Sequence, residues 1–294
     1  MGARMSVAIL KLVAWLPWSG IQRLGGWLGW LLTRIPNRQR RDVLINLALC
    51  LPELSTEQRL ALRERVMGEF ARTFLEMAAL WSWPPQRTLA LVREVRGLEH
   101  LRAAQGEGLL VLTPHLGSWE MAGLYVASQG PLTSMYRRQG ALDELIRQGR
   151  EQTGASLVPD DVSGVMAMYR ALKRGEMVGV LPDQVTREDA GSLFAPFFGV
   201  PAVTMLLVAG LARRTGARVL FAVAERLPDA QGFRMHILPV DPAVADPDPL
   251  TAATRLNQEV ERCIRIAPEQ YQWTYRRFRR RPDGAPSPYQ GPSI

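Results

Sequence analysis

Lysine is nearly missing from this chain. Lys11 and Lys173 are the only two, so arginine carries almost all of the formal net charge of +8 over 294 residues. A guanidinium is a better fork for phosphate and carboxylate than an ammonium, so this charge admits anionic lipid, nucleic acid or an acidic carrier protein as partners. Cysteine is scarce as well. Cys50 and Cys263 make no C-x-x-C pair and no disulfide framework, which fits a reducing compartment. The three histidines, His100, His115 and His236, are scattered and form no cluster with cysteine, so neither a metal nor any other cofactor is expected. A G-x-S-x-G nucleophile elbow is missing, as are internal repeats and any recognised nucleic-acid motif. The arginines sit in separate blocks rather than one stripe, so nucleic acid is not an expected partner.

No apolar run is free of interruption either. Residues 5–32, MSVAILKLVAWLPWSGIQRLGGWLGWLL, hold four of the eight tryptophans but are broken by Lys11, Pro17 and Arg23. A spanning helix needs about 20 mainly apolar residues, which this stretch supplies only with a charge or a proline kink near its middle. The rival is a pair of short amphipathic helices in the interface, with Trp15, Trp18, Trp27 and Trp30 at headgroup depth. A third reading is a tryptophan-rich hairpin in a soluble core. The pattern runs on into RIPNRQRR (34–41) with no small-residue cleavage site, which argues against a cleaved signal peptide. Residues 1–35 are therefore expected to form a membrane-anchoring helical segment, with Arg34, Arg38, Arg40 and Arg41 on the cytoplasmic side.

The remainder of the chain is rich in pattern. Hydrophobic residues make up 47% of the sequence, enough for one large domain or two small ones. From Arg38 to Trp83 the periodicity is helical, broken once at LPELST, where Ser55 with Gln58 reads as a helix cap and WPPQ (83–86) as a stop. GLLVLTP (108–114) and MVGVLPD (177–183) are short apolar runs closed by proline and read as buried strands. RVLFAVAERL (218–227) and FRMHILPV (233–240) predict two more, adjacent and antiparallel. Helical stretches are predicted at 118–128, 141–152, 163–174, 203–216 and 250–267. Alternation of strand and helix predicts an α/β domain, a mixed sheet covered by helices, over residues 36–275, helical at 36–86 with its α/β core at 90–275. Residues 276–294 read as a basic, proline-rich tail that frays.

TPHLGSWE (113–120) is the one segment with chemistry written into it. A strand ending at Thr113 places His115 in the loop at the strand's C-terminal end, where ligands bind in open α/β sheets. Ser118 can cap the next helix, and Glu120 then falls in its first turn, where the helix dipole favours a carboxylate. Glu120 could hold one imidazole nitrogen while the other takes a proton from an alcohol attacking an acyl carbonyl. The bland counterpart is a structural histidine at a turn; His100 and His236 have stronger claims to surface and packing roles.

H-L-G-S-W-E resembles the H-x-x-x-x-D/E motif of the glycerolipid and lipid A acyltransferases. Further blocks resemble the lipid A biosynthesis late acyltransferases, the lauroyl/myristoyl transferase family: Tyr136-Arg137, Gly149-Arg150, Leu181-Pro182-Asp183-Gln184, Phe197-Phe198-Gly199 before Pro201 and Thr204, and the arginine-rich segment after Trp273. Ser118 departs from the asparagine common in the family, at the cap rather than the base. The resemblance implies a glycerol-phosphate-acyltransferase-like fold. It also implies transfer of a fatty acyl chain from acyl carrier protein, whose acyl-phosphopantetheine enters as substrate, to a hydroxyl of a Kdo-bearing lipid A precursor. The place implied is the cytoplasmic face of a bacterial inner membrane. His115 would be general base and Glu120 its orienting partner; Arg150 and Asp183 would be active-site residues, Arg137 a phosphate contact, and Gln184 comes by adjacency.

Read physically, residues 134–150 set Arg137, Arg138, Arg147 and Arg150 around a short helix, suited to phosphates, with a solvated helix face the better reading for Arg138 and Arg147. Asp183, at a strand's C-terminal edge, could hold Arg150 or a sugar hydroxyl, or make an Asx turn. Residues 183–199 read as a mobile loop whose Phe194, Phe197 and Phe198 line an acyl tunnel or simply pack. An oxyanion donor is not named by the sequence; backbone N–H groups near Gly117 and an arginine are both open. Against the acyltransferase stand a membrane-bound hydrolase using the same pair on water, a basic lipid binder, and an acyltransferase acting on another glycolipid such as a phosphoinositol mannoside.

Overall fold

The structure is a computed structural model that describes residues 2–104, 106–184 and 191–290, with side chains from position 7 onward. Four long helices come first: α1 (Gly2–Ala14), α2 (Trp18–Arg34), α3 (Arg38–Cys50) and α4 (Thr56–Ser82), followed by the short α5 (Pro85–Leu89). Ser55 makes the predicted cap, a full capping box with Gln58, and the helix ends at Ser82 ahead of the two prolines. Then strand and helix alternate: β1 (Val92–Arg96), α6 (Leu98–Ala103), β2 (Leu109–Leu112), α7 (Trp119–Ala127), β3 (Leu132–Tyr136), α8 (Asp143–Glu151), β4 (Ala155–Pro159), α9 (Val162–Lys173) and β5 (Met177–Val180). A hairpin of β6 (Ser192–Phe197) and β7 (Val200–Met205), α10 (Leu207–Thr215), β8 (Arg218–Arg226), β9 (Phe233–Pro239) and α11 (Pro249–Ile264) complete the order.

Seven strands make one mixed sheet in the order β1-β9-β8-β2-β5-β3-β4. Every neighbouring pair is parallel except β8 with β9, the antiparallel pair predicted from the sequence. Alternating residues feed two cores. Leu110, Leu112, Val178, Val180 and Phe221 face the layer with α3, α9, α10 and α11, while Leu109, Val111, Met177, Leu220 and Ala222 face α7 and the end of α4. This is the predicted α/β architecture with helices on both faces of the sheet.

Three expectations are corrected. No described helix is long and apolar enough to cross a membrane, so the spanning form of the anchor is not found. Pro17 instead divides the N-terminus into α1 and α2, and α2 lies on α4 with Ile21 fully buried. Gly25 and Gly29 allow this: a Cβ at Gly25 would come within 2.7 Å of Arg72 Cα, and one at Gly29 would strike Gly68 Cα. Trp18 belongs to the core, its ring centroid 5.3 Å from that of Phe233, whereas Trp15, Trp27 and Trp30 are exposed.

Second, strand β7 (Val200–Met205) takes residues 203–205, the start of the helix expected at 203–216. Of the loop expected at 183–199, residues 185–190 lie outside the described residues and 192–197 are strand β6. Phe197 packs against Tyr271 and Phe278. Third, the tail does not fray over 276–290. Arg276 pairs at 2.7 Å with the buried Asp42 of α3, Phe278 and Tyr289 are buried, and the Tyr289 hydroxyl donates to Asn46. Residues 291–294 of that tail lie outside the described residues.

Candidate active site

The register of two parallel strands creates the site. Leu112 of β2 is the partner of Val180 in β5, and the pairing continues as Thr113 N–H donates to Val180 O at 2.9 Å. Three residues beyond each of the paired positions stand His115 and Asp183. The two strands point the same way, so both loops leave the same edge of the sheet side by side. His115 Nδ1 lies 2.9 Å from Asp183 Oδ1, and the His115 backbone N–H donates to Asp183 Oδ2 at 3.0 Å. One carboxylate thus fixes both the loop and the ring.

Gly117 makes the loop's sharp turn with φ +61°, and a Cβ there would strike Ala224 O. The loop is sewn down on both sides. Gly117 N–H donates to Gln270 O and Ser118 N–H to Ala224 O, while Gln272 N–H donates to His115 O at 2.9 Å. Ser118 then caps α7 through Met121 N–H, as predicted. Each N–H from His115 to Ser118 is therefore engaged inside the protein, Leu116 donating to Pro114 O.

Glu120 does not meet His115 in a hydrogen bond among the described residues. It faces the other way round the first turn of α7 and accepts from Arg150 Nε at 2.9 Å, from Arg150 Nη2, and from Trp81 Nε1 at 2.9 Å. The expected orienting partner of His115 is thus replaced by Asp183, because the parallel pairing of β2 with β5 brings Asp183 to the imidazole first. The alternative in which Asp183 holds Arg150 gives way for the same reason: Arg150 is taken by Glu120.

Electrostatics keep both acids ionised. Burial alone would raise the Asp183 carboxyl, but the charge of His115 and two hydrogen bonds from it carry the group below the usual aspartate range. Glu120 is equally buried; Arg150, then the Trp81 indole, then the charge of His115, hold it below the usual glutamate range. An ionised carboxylate can only accept, so the Nδ1–H of His115 points at Asp183, and in the neutral form of the ring the lone pair sits on Nε2. No described residue hydrogen-bonds Nε2.

Beyond this pair lies an apolar cleft of about 610 Å³ including its open mouth. Glu120, Arg150 and Trp119 line its entrance, and the Trp119 ring centroid stands 4.9 Å from that of His115. Arg150 lies over Tyr136, whose hydroxyl donates to Asp143 and is pushed up to about 12 by burial and that contact.

This geometry, a histidine and carboxylate beside an arginine and an apolar cleft, coincides with a match along almost the whole chain. Residues 2–280 match the bacterial lipid A biosynthesis acyltransferases. The chain belongs to this family. The lipid A biosynthesis lauroyltransferase of Escherichia coli K12 is 36% identical to it over 97% of this chain and 94% of that one. The palmitoleoyltransferase of the same organism is 33% identical over 94% of both chains, and its myristoyltransferase 27% identical over 98% and 90%. This family member is therefore an acyltransferase of lipid A and lipopolysaccharide biosynthesis, and His115, Glu120, Arg150 and Asp183 are its candidate catalytic group.

Two other residues named from the sequence stand outside that group. Arg137 pairs with Asp160 at the exposed rim, its Nε at 3.0 Å. Gln184 donates to the Gln272 side chain at 2.6 Å, and so braces the segment that holds the His115 carbonyl. Arg147 pairs with Glu151 one turn along α8, the solvated face expected of it. Three residues escaped the sequence. Trp81 ended what read as a core helix; Trp119 sat inside the motif without a role; Tyr271, behind Asp183, is raised well above the usual phenol value by burial and then by the Asp183 charge. Among the described residues no group of His, Cys, Asp and Glu is arranged to hold a metal.

Proposed function

We propose that this family member moves a fatty acyl chain from the phosphopantetheine thioester of an acyl carrier protein to a hydroxyl of a Kdo-bearing lipid A precursor. The transfer is direct. His115 Nε2 takes the proton of the acceptor hydroxyl as its oxygen attacks the thioester carbonyl carbon; the C–S bond then breaks and the proton passes to the leaving sulfur. Asp183 holds the imidazole in the tautomer this requires and stabilises the imidazolium that forms. The contact between His115 and Asp183 is the single observation that carries this reading.

The developing oxyanion needs a donor outside the loop, since the N–H groups of residues 115–118 are spent. Arg150 fills this place: Glu120 takes its Nε and Nη2, and Nη1 has no hydrogen bond to a described residue. Glu120 is then a positioning residue, holding Arg150 at the mouth of the cleft. Such a donor contributes typically about 10²–10³ in turnover. Arg137, half exposed, is the phosphate contact.

Attachment to the cytoplasmic face of the inner membrane is by interfacial helices. Trp15, in the turn between α1 and α2, is 86% exposed, Trp27 56% and Trp30 51%, and Lys11, Arg23 and Arg34 lie on these two helices. Exposed indoles with a basic rim suit an anionic bilayer surface.

Mass spectrometry of lipid A from cells lacking this protein tests the reading. Loss of one secondary acyl chain is the expected result. An unchanged spectrum in a strain with no second family member would contradict the acceptor, and acyl release without acceptor by the purified protein would favour the hydrolase.

A further inference from the structure

The apolar cleft runs down the sheet from the Glu120–Arg150 pair, and strand register stacks its wall in levels. Thr113 and Leu181, just past the ends of β2 and β5, stand at the mouth. Two residues back along the strands, Val111, Gly179 and Ser134 lie side by side in register across β2, β5 and β3. Two residues further back, Leu132 pairs with Ala155 at the floor. At about 3.3 Å per strand residue, four residues make a slot roughly 13 Å deep. Polar groups gather at its mouth, with Ser134 the hydroxyl at mid-depth.

The opposite wall is α7, whose Glu120, Gly123, Leu124 and Val126 share one helical face. Glycine is a poor helix former, yet Gly123 sits in the middle of this nine-residue helix. A Cβ built on it would meet nothing within 4 Å, so the glycine leaves space that the fold does not fill. Across the slot, a Cβ at Gly179 would come within 2.5 Å of Ser134 Oγ, which would have to turn aside to admit it. Packing within the protein therefore does not require a glycine at position 123.

We infer that this slot binds the hydrocarbon chain of the transferred acyl group, and that Gly123 sets the chain length by leaving the passage beyond the first turn of α7 open. The inference rests on the acyl-transfer reading. The occupant is an unbranched acyl chain because the slot is apolar in depth and opens beside the groups that would hold the thioester carbonyl. A side chain at position 123 would stop the chain one helical turn below Glu120; trimming Val126, a turn deeper, would lengthen the slot.

The test measures transfer by the full-length protein from octanoyl-, decanoyl-, lauroyl-, myristoyl- and palmitoyl-acyl carrier protein, with products identified by mass spectrometry and folding checked by thermal melting. Gly123→Leu is expected to move the preference toward shorter donors, by at least about tenfold in the ratio of short to long. Gly123→Ala, which suits a helix and folds, moves it in the same direction by less; Val126→Ala moves it toward longer donors. A donor profile unchanged in all three variants overturns the inference, and so does an equal loss on every donor by a folded Gly123→Leu, while both leave acyl transfer standing. A wild-type protein inert with every donor brings down the acyl-transfer reading and the inference with it.

Discussion

His115 and Asp183 are 68 positions apart in the chain and 2.9 Å apart in space, whereas Glu120, five positions away, turns its carboxylate to Arg150. A loop N–H and a ring nitrogen on the same carboxylate fix the imidazole more firmly than a single bond would. Glu120 carries a different load, as the counter-charge of a mostly buried arginine. Replacing it by glutamine leaves Arg150 without that charge, and should lower stability near neutral pH by about 1–3 kcal/mol. Because the folded Glu120 carboxyl titrates below its unfolded value, its stabilisation is complete above the unfolded value of about 4.3 and is lost as pH falls through the folded one. Urea midpoints compared across acid pH should thus fall more steeply for the wild type than for Glu120→Gln; parallel curves would refute this role for the pair.

At the scale of elements, close approach by glycine decides whether the site and its support can form. Gly29→Ala would drive a methyl into the backbone of α4 at Gly68, in a contact with no flexible side chain to yield. Overpacking of this kind costs about 1–3 kcal/mol, so melting should fall by several degrees, and an unchanged melting temperature would show that α2 is not seated as described. The elements most legible in the sequence were those whose pattern is local. The Ser55 and Gln58 capping box, the apolar β2 and β5, and the β8–β9 pair all carry their signal within a few residues. β1, with the sequence VREVR, carries no apolar run because three of its five residues are charged; β3 and β4 are short and partly polar. The hairpin of β6 and β7 resembles loop and helix in sequence because its turn at Phe198, with φ +49°, has no strong turn residue before Gly199. The site was half legible for the same reason. A proline-histidine-glycine turn after a strand located His115, but its partner depends on which strand lies beside β2, a long-range pairing that no local pattern encodes.

On the scale of the whole molecule, most of the exposed large apolar side chains fall in the N-terminal 35 residues. Ile9, Leu12, Trp15, Leu16, Trp27, Trp30 and Ile35 of the first two helices and their edge are exposed, while Ile21 and Trp18 of α2 are packed into the body. The proposed attachment to a bilayer through α1 and α2 would therefore leave this packing intact. Replacing Trp15, Trp27 and Trp30 together by serine should weaken sedimentation with phosphatidylglycerol vesicles by more than about tenfold and leave the melting temperature unchanged. Raising salt should weaken what binding remains, since Lys11, Arg23 and Arg34 contribute by charge. Undiminished vesicle binding would move the membrane contact elsewhere. The arginines at the start of α3 and the docked segment beyond Trp273 would be the next surfaces to test.

The central claim is that Asp183 and His115 act as one unit on the acceptor hydroxyl. Its most direct test is the single-turnover rate of transfer from lauroyl-acyl carrier protein to a Kdo-bearing lipid A precursor, measured for the wild type, Asp183→Asn, His115→Ala and the double variant. Each single change should slow the folded protein by about 10²–10⁴, and the double variant should be no slower than His115→Ala alone. A folded His115→Ala protein that transfers at the wild-type rate, or losses that multiply in the double variant, would contradict it.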